Sequence, residues 1–160
     1  MNALGDYILS HPDDYAVKVI TADRHPWNHC SFGRNGGEWP EHCIADSVGA
    51  AVWPKVLSAA CSTSGKTSVM HKGENPEKEE YSIFSKPGNS DEIVEIVRKH
   101  NISDIDICGL AGDICVLSTL RDALKVLPGV RFHVLKEFAP SLDGGKALNN
   151  FMKENEICDR

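Results

Sequence analysis

The segment TADRHPWNHCSF (residues 21–32) sets Asp23 and His25 two residues apart and follows them with His29. WPEHC (residues 39–43) adds His42 after a glycine-rich turn, Gly33 to Gly37. In an extended segment alternate side chains point the same way, so Asp23 and His25 can grip one ion. Two imidazoles and a carboxylate suit a divalent metal, zinc first, with iron or manganese also compatible, and leave positions open for water or substrate. A polar loop with exposed histidines is the competing reading. His29 fits either as a ligand or as a partner that orients the ligands.

A second chemical feature lies in GLAGDICVLSTLRDAL, residues 109–124. Gly109 and Gly112 loosen the backbone just before a helical pattern, and Cys115 falls at its start. A thiol at a helix N-terminus is acidified and nucleophilic, the more so beside a lysine. A lone cysteine there is also a common core residue, because free cysteines are among the most buried residue types. Lys72 is the available lysine. It follows a strand-like run and precedes Gly73, which argues against a solvated surface position.

The elements that must position these groups alternate in type. Residues 16–22, 67–72, 104–110 and 130–136 read as β-strands. Residues 89–100 read as a helix with polar cap residues Asn89 and Ser90, acids in its first turn, and Arg98, Lys99 and His100 in its last. Residues 113–129 read as a second helix. Its buried stripe is Val116, Leu120, Ala123, Leu124 and Leu127, and Pro128-Gly129 stops it. The N-terminal residues 1–12 also carry a helical pattern. Strands alternating with helices predict a parallel sheet covered on both faces, with the active site beyond the strands' carboxyl ends. Asp23, Lys72 and the Cys115 turn all follow strands.

Composition narrows the function classes. A chain of 160 residues predicts a single domain that buries about two-thirds of its unfolded surface. A net charge of −6 speaks against a nucleic-acid partner. No apolar run is long enough for a membrane span, and no signal peptide opens the chain, so a cytoplasmic protein is expected. The six cysteines (30, 43, 61, 108, 115 and 158) are too scattered for a disulfide framework, and no CxxC pair offers a cysteine-only zinc site. Cys108 reads as core packing and Cys158 as part of a frayed tail.

Four stretches occur in order: VITADRHPWNHCSF, GGEWPEHCIADSVGA, VMHKGENPEKEEYSIF and ICGLAGDICVLSTLRDA. Together they resemble the nicotinamidase (pyrazinamidase) branch of the isochorismatase-like cysteine hydrolases, over residues 15–145. The DxH plus WPxHC pattern is what separates that branch from isochorismatases and carbamoylsarcosine-type amidases. The resemblance implies a three-layer α-β-α, Rossmann-like fold with a mostly parallel sheet. It implies a metal-dependent hydrolysis of nicotinamide to nicotinate and ammonia, with pyrazinamide as a further substrate. Cys115 would be the nucleophile and Lys72 the catalytic lysine. The backbone N–H groups of Ala111 and Cys115 would form the oxyanion hole, beside a non-proline cis peptide between Leu110 and Ala111. Trp39 would wall the pyridine ring. Asp23, His25 and His42 would hold the metal, with His29 as a fourth ligand. Family members are often homo-oligomers.

One family feature lies outside the sequence. Members begin with a central strand ending in an Asp, DxQxxF in outline, and that Asp is the general acid/base of the cysteine triad. The chain opens instead on MNALGDYILSHP, the helix expected after that strand, so an N-terminally truncated domain is expected. Loss of the strand would leave its neighbours with unpaired edges. Asp6, inside the helical pattern, is a poor substitute. Loss of a general base typically costs about 10²- to 10⁴-fold in rate. Two alternatives therefore stand beside the amidohydrolase: a metal- or ligand-binding remnant without turnover, and a hydrolase of the same superfamily acting on another small amide or ether.

Overall fold

The β-branched run before Asp23 and the run ending at Lys72 pair as parallel strands. In the computed structural model, which describes residues 1–160, these are β1 (Val17–Asp23) and β2 (Lys66–Lys72). Their register runs unbroken from Val17 opposite Lys66 to Asp23 opposite Lys72. Parallel neighbours need a long crossover. Here it comprises the loop after β1 and helix α2 (Pro54–Ser62), which starts on a proline at its first turn, where no N–H is needed. Helix α1 (Asn2–Ser10) packs on α2 and buries Leu4 near Val56, Ala59 and Ala60. Asp6 is tied to Lys55 of α2 at 2.6 Å. These elements belong to the first of two compact units, Met1–Ile83.

The second unit, Phe84–Arg160, contains α3 (Pro87–Lys99), β3 (Asp104–Ile107), α4 (Leu117–Val126), β4 (Arg131–Val134), α5 (Lys146–Glu154) and β5 (Cys158–Asp159). The three strands form a parallel sheet in the order β3-β4-β5. The stripe of α4 supplies the core: Val116, Leu120, Ala123 and Leu127 are buried against Phe132, Val134, Leu148 and Met152, with Leu124 partly buried beside them. Alternation of helices with parallel strands is the α/β class that the sequence predicts. The strands lie in two sheets, β1-β2 and β3-β4-β5.

Several boundaries move. Helix α3 starts at Pro87 rather than at the Asn89-Ser90 pair, because proline at the first helical position needs no donor. The acids at 91 and 92 therefore fall beyond its first turn. The segment from Gly112 to Val116 is a π-type turn that precedes α4. Residues 108–110 and 135–136 leave the strands. Cys158 is not frayed: it pairs with His133 in β5. Helices α2 and α5 escape the sequence reading; α5 follows Gly145 in the left-handed conformation. Cys108 lies one residue past β3, half-buried and outside the core cluster; burial first, and Asp106 second, push its thiol up to about 11.

Two measurements check these packing claims. Leu120 is fully buried, so Leu120→Ala should cost about 2–5 kcal/mol in denaturant unfolding; a loss under about 0.5 kcal/mol would contradict this core. The second concerns Asp104 and Arg131, which face each other in register and join by two hydrogen bonds, 2.7 and 2.8 Å. The Arg131 guanidinium, helped by Ser103, holds the Asp104 carboxyl well below the usual carboxylate range. A depressed folded pKa contributes stability above the unfolded value, about 3.9, and that contribution is lost as pH falls below it. The difference in Tm between wild type and Arg131→Met should therefore be constant above about pH 5 and shrink below about pH 4.

Candidate functional site

Register places the first functional pair. Asp23 and Lys72 are opposite residues at the carboxyl ends of β1 and β2, so their side chains share a face. Lys72 Nζ donates to Asp23 Oδ1 at 2.5 Å and to the Glu80 carbonyl at 3.2 Å. Lys72 is only 4% exposed, and a buried ammonium requires such a counter-charge. The lysine is thus a buried, paired group.

Beyond Asp23 the chain stays extended for two residues. The Arg24 N–H donates to the Lys72 carbonyl, and His25 exchanges backbone hydrogen bonds with Cys43 and Ala45. This short parallel bridge to Ile44 lays His42 beside His25, with ring centroids 4.8 Å apart. Asp23, His25 and His42 consequently offer one ligand atom each, all within 4.8 Å of one another. The two histidines are oriented alike. His25 Nδ1 is 2.9 Å from the Gly73 carbonyl and His42 Nδ1 is 2.8 Å from the Pro40 carbonyl. A carbonyl only accepts, so each Nδ1 carries the proton and each Nε2 keeps its lone pair for a metal. Burial lowers the pKa of His25 and favours the neutral imidazole that ligation requires. The donor set and its tautomers fit a divalent ion.

The surroundings hold this geometry. Phe32, fully buried, stands edge-on to His25 and His42 at 5.8 and 5.6 Å. Arg34 lies over the Trp27 ring at 3.6 Å, donates to the Trp27 carbonyl, and pairs with Glu41 at 2.7 Å. It thereby clamps the His25–His29 segment to the strip carrying His42. Gly37 permits the return: a Cβ there would lie 2.1 Å from the Ser31 backbone. His29 is fully buried, with its ring 4.3 Å from that of His25, but it is outside the three-residue cluster. Its Nε2 has no hydrogen-bond partner. Trp39 is half-buried, faces His42 edge-on at 6.4 Å, and donates through Nε1 to the Tyr81 hydroxyl at 2.8 Å.

The sequence reading missed three contributors: Phe32, Glu80 and Tyr81. Glu80 is buried, and its carboxylate accepts the Gly73 N–H at 3.0 Å while its carbonyl receives Lys72. The signal was the run EEYSIF after β2, where a glutamate in an otherwise solvated acidic stretch gave no hint of burial.

In the second unit, Ala111 and Cys115 lie in the turn between β3 and α4. The Leu110–Ala111 peptide is cis, at the bond that the resemblance indicates. Cys115 occupies the π-type turn just before α4, half-buried. Gly112 lets this turn lie against the segment after β4: a Cβ there would meet the Ala139 carbonyl oxygen at 2.3 Å. Burial disfavours ionisation of Asp113, yet the N–H groups of Leu142 and Asp143 outweigh it and hold its carboxyl below the ordinary range. That carboxylate, two residues from Cys115, is committed to the backbone.

The isochorismatase domain family matches residues 16–146, and the chain belongs to that family. The nicotinamidase of Escherichia coli (strain K12) is 32% identical over 136 residues, which is 74% of this chain and 61% of that protein. The chain thus spans about three fifths of that relative's length. Among solved structures, the pyrazinamidase of Pyrococcus horikoshii in complex with zinc superposes with a TM-score of 0.72 at 27% identity, covering 98% of this chain and 86% of that one. PnC1 from L. infantum in complex with nicotinate gives 0.82 at 26% identity, covering 99% and 79%. The fold is the isochorismatase-like α/β fold.

Gly73 offers a direct test of the metal cradle. It has φ +71°, and a Cβ would sit 2.4 Å from His25 Cε1. Gly73→Ala should weaken zinc binding by about tenfold or more, by analogy with losses of groups that orient ligands. Competition with a chromophoric chelator reads this out. Gly88→Ala, where nothing lies within 4 Å, should leave the affinity unchanged. Equal affinities in both variants would remove the argument for the cradle.

Proposed function

We propose that this chain is a metal-dependent cysteine amidohydrolase that converts nicotinamide to nicotinate and ammonia and also accepts pyrazinamide. The observation that carries the reading is the Asp23–His25–His42 cluster, with both histidines fixed in the ligating tautomer. The family membership and the nicotinamidase and pyrazinamidase relatives support it. Asp23, His25 and His42 would hold zinc, or iron or manganese, with its open positions available to the pyridine nitrogen, so that it orients the ring.

In this reading Cys115 is the nucleophile. Its thiolate attacks the carboxamide carbon, and the N–H groups of Ala111 and Cys115 stabilise the resulting oxyanion, an effect of about 3 kcal/mol per donor. The C–N bond then breaks, and nitrogen leaves as ammonia with the proton that the thiol gave up. Water adds to the thioester and releases nicotinate and the thiol. The resemblance makes Lys72 the catalytic lysine, and its ammonium is paired with the Asp23 carboxylate. Trp39, held by Tyr81, forms a wall for the aromatic ring. We further propose that residues 1–160 act as one hydrolase domain, in the cytoplasm, in pyridine-nucleotide salvage, and as a homo-oligomer. No helix is long and apolar enough to cross a membrane.

The test is ammonia release from nicotinamide by the zinc-loaded chain. Activity should fall at least about a thousandfold in Cys115→Ala, as for other nucleophile deletions. Lys72→Met should cost about 10²- to 10⁴-fold. Chelation should abolish turnover and added zinc restore it. Folded protein that binds zinc yet releases no ammonia would instead establish the binding remnant, and turnover of a different amide would establish the related hydrolase.

A further inference from the structure

His29 is wired in the opposite sense to its two neighbours. Its Nδ1 lies 3.2 Å from the Ser31 backbone N–H, which donates to it, and 2.7 Å from the Ser31 hydroxyl. A backbone N–H can only donate, so Nδ1 is the acceptor and carries no proton. The proton of the neutral ring is therefore on Nε2. His25 and His42 carry theirs on Nδ1 because carbonyls face that atom. Backbone groups thus set all three tautomers, and His29 alone receives the reverse one.

This decides what His29 can do. Ligation through Nε2 requires a lone pair there, which a ring accepting at Nδ1 has only as an imidazolate. Ligation through Nδ1 would displace both Ser31 contacts. Yet the Nε2–H is fully buried and meets no protein acceptor. A donor left unmatched in that setting costs about 1–3 kcal/mol, so a native site normally supplies an acceptor. The Asp23–His25–His42 cluster is adjacent, since the His29 ring lies 4.3 Å from that of His25, the two planes tilted by 45°.

We infer that His29 is not a fourth ligand but a fixed hydrogen-bond donor, whose Nε2–H is satisfied by an oxygen atom bound at the loaded metal centre. That oxygen is a water, since the proposed reading gives the ion the pyridine nitrogen and leaves the carboxamide oxygen to the Ala111 and Cys115 N–H groups. The protein ligand set is then Asp23, His25 and His42 alone, which leaves more of the ion's coordination sphere to exchangeable groups. The inference rests on the metal reading proposed above and assigns His29 a positioning role within it.

The experiment is long-range ¹H–¹⁵N correlation on histidine-labelled protein, without metal and loaded with zinc, which is diamagnetic. Ring signals are assigned through bonds, so no variant is needed. His29 should show the Nε2–H pattern in both states, while the Nε2 resonances of His25 and His42 shift on zinc addition. The His29 Nε2–H proton should move downfield on loading. A zinc-induced shift of His29 Nε2 nitrogen into the metal-bound range, or an Nδ1–H pattern in either state, overturns the inference. So does an Nε2–H proton indifferent to zinc while His25 and His42 respond. If no histidine responds to zinc, the metal reading itself fails and the donor role falls with it, an outcome visibly different from the others. As a second readout, His29→Gln should keep zinc affinity within about threefold, against the tenfold or larger loss expected for an orienting partner; a variant that does not fold leaves the wild-type spectra to decide.

Discussion

The parallel register of β1 and β2 is the constraint on which the Asp23–His25–His42 cluster depends. Seven opposed pairs end with Asp23 against Lys72. A slip of one residue would turn every side chain of β1 to the other face. Lys72 would then be a buried ammonium without its carboxylate, and breaking such a pair costs about 3–5 kcal/mol. The ion pair therefore does more than position a lysine: it penalises every register but one. With the register fixed, Arg24 bonds to the Lys72 carbonyl, and His25 must emerge beside Gly73, whose carbonyl takes its Nδ1 proton. The same strand end thus fixes a carboxylate, a lysine and an imidazole tautomer.

The second imidazole arrives by a different route. His42 is seventeen residues beyond His25, and the intervening chain must double back. Phe32 provides an apolar floor under the rings, Gly37 allows backbone contact with Ser31, and Arg34 joins the outgoing and returning strips. The Arg34–Glu41 pair is part-exposed and contributes little by itself, about 0–1 kcal/mol. Its stacking on Trp27 and its bond to the Trp27 carbonyl restrict the loop more than the ion pair does. Loop closure costs entropy that grows only slowly with length, so a few such contacts suffice to order an excursion of this size.

Sequence reading succeeded where local chemistry decides the outcome. β1 was legible because β-branched residues fill most of it before Asp23, and β2 because the short run TSVMHK ends at Lys72 before Gly73. The DxH spacing and the WPEHC motif named the three residues, Asp23, His25 and His42, that the fold brings together. The buried stripe of α4 followed from its 3.6-residue period. Helices α2 and α5 were not legible: they begin after Trp53 and Gly145 with no side-chain cap, and each spans only nine residues. The burial of Glu80 was hidden because its surroundings in the sequence are charged, while its actual partner is the Gly73 N–H. The tautomers were equally out of reach. Gly73, Pro40 and Ser31 set them through backbone atoms, and spacing alone cannot tell whether an imidazole faces a carbonyl or an amide.

Charge balance shows why a ligand set of this composition suits an anionic guest. Around the cluster, the Asp23 carboxylate pairs with the Lys72 ammonium, the Glu80 carboxylate accepts the Gly73 N–H, and the imidazoles of His25, His29 and His42 add no charge in their neutral forms. That leaves one net negative charge, which a divalent cation would convert to one net positive charge. In a buried setting an excess charge is costly unless compensated. A site so loaded favours a hydroxide, an oxyanion or a carboxylate over a neutral oxygen. Replacing one imidazole ligand by a carboxylate would cancel that preference, and replacing Asp23 by an imidazole would double the excess while leaving Lys72 unpaired. One carboxylate ligand, a second carboxylate at Glu80, neutral imidazoles and a paired lysine is the combination that leaves a modest positive excess without stranding any buried charge.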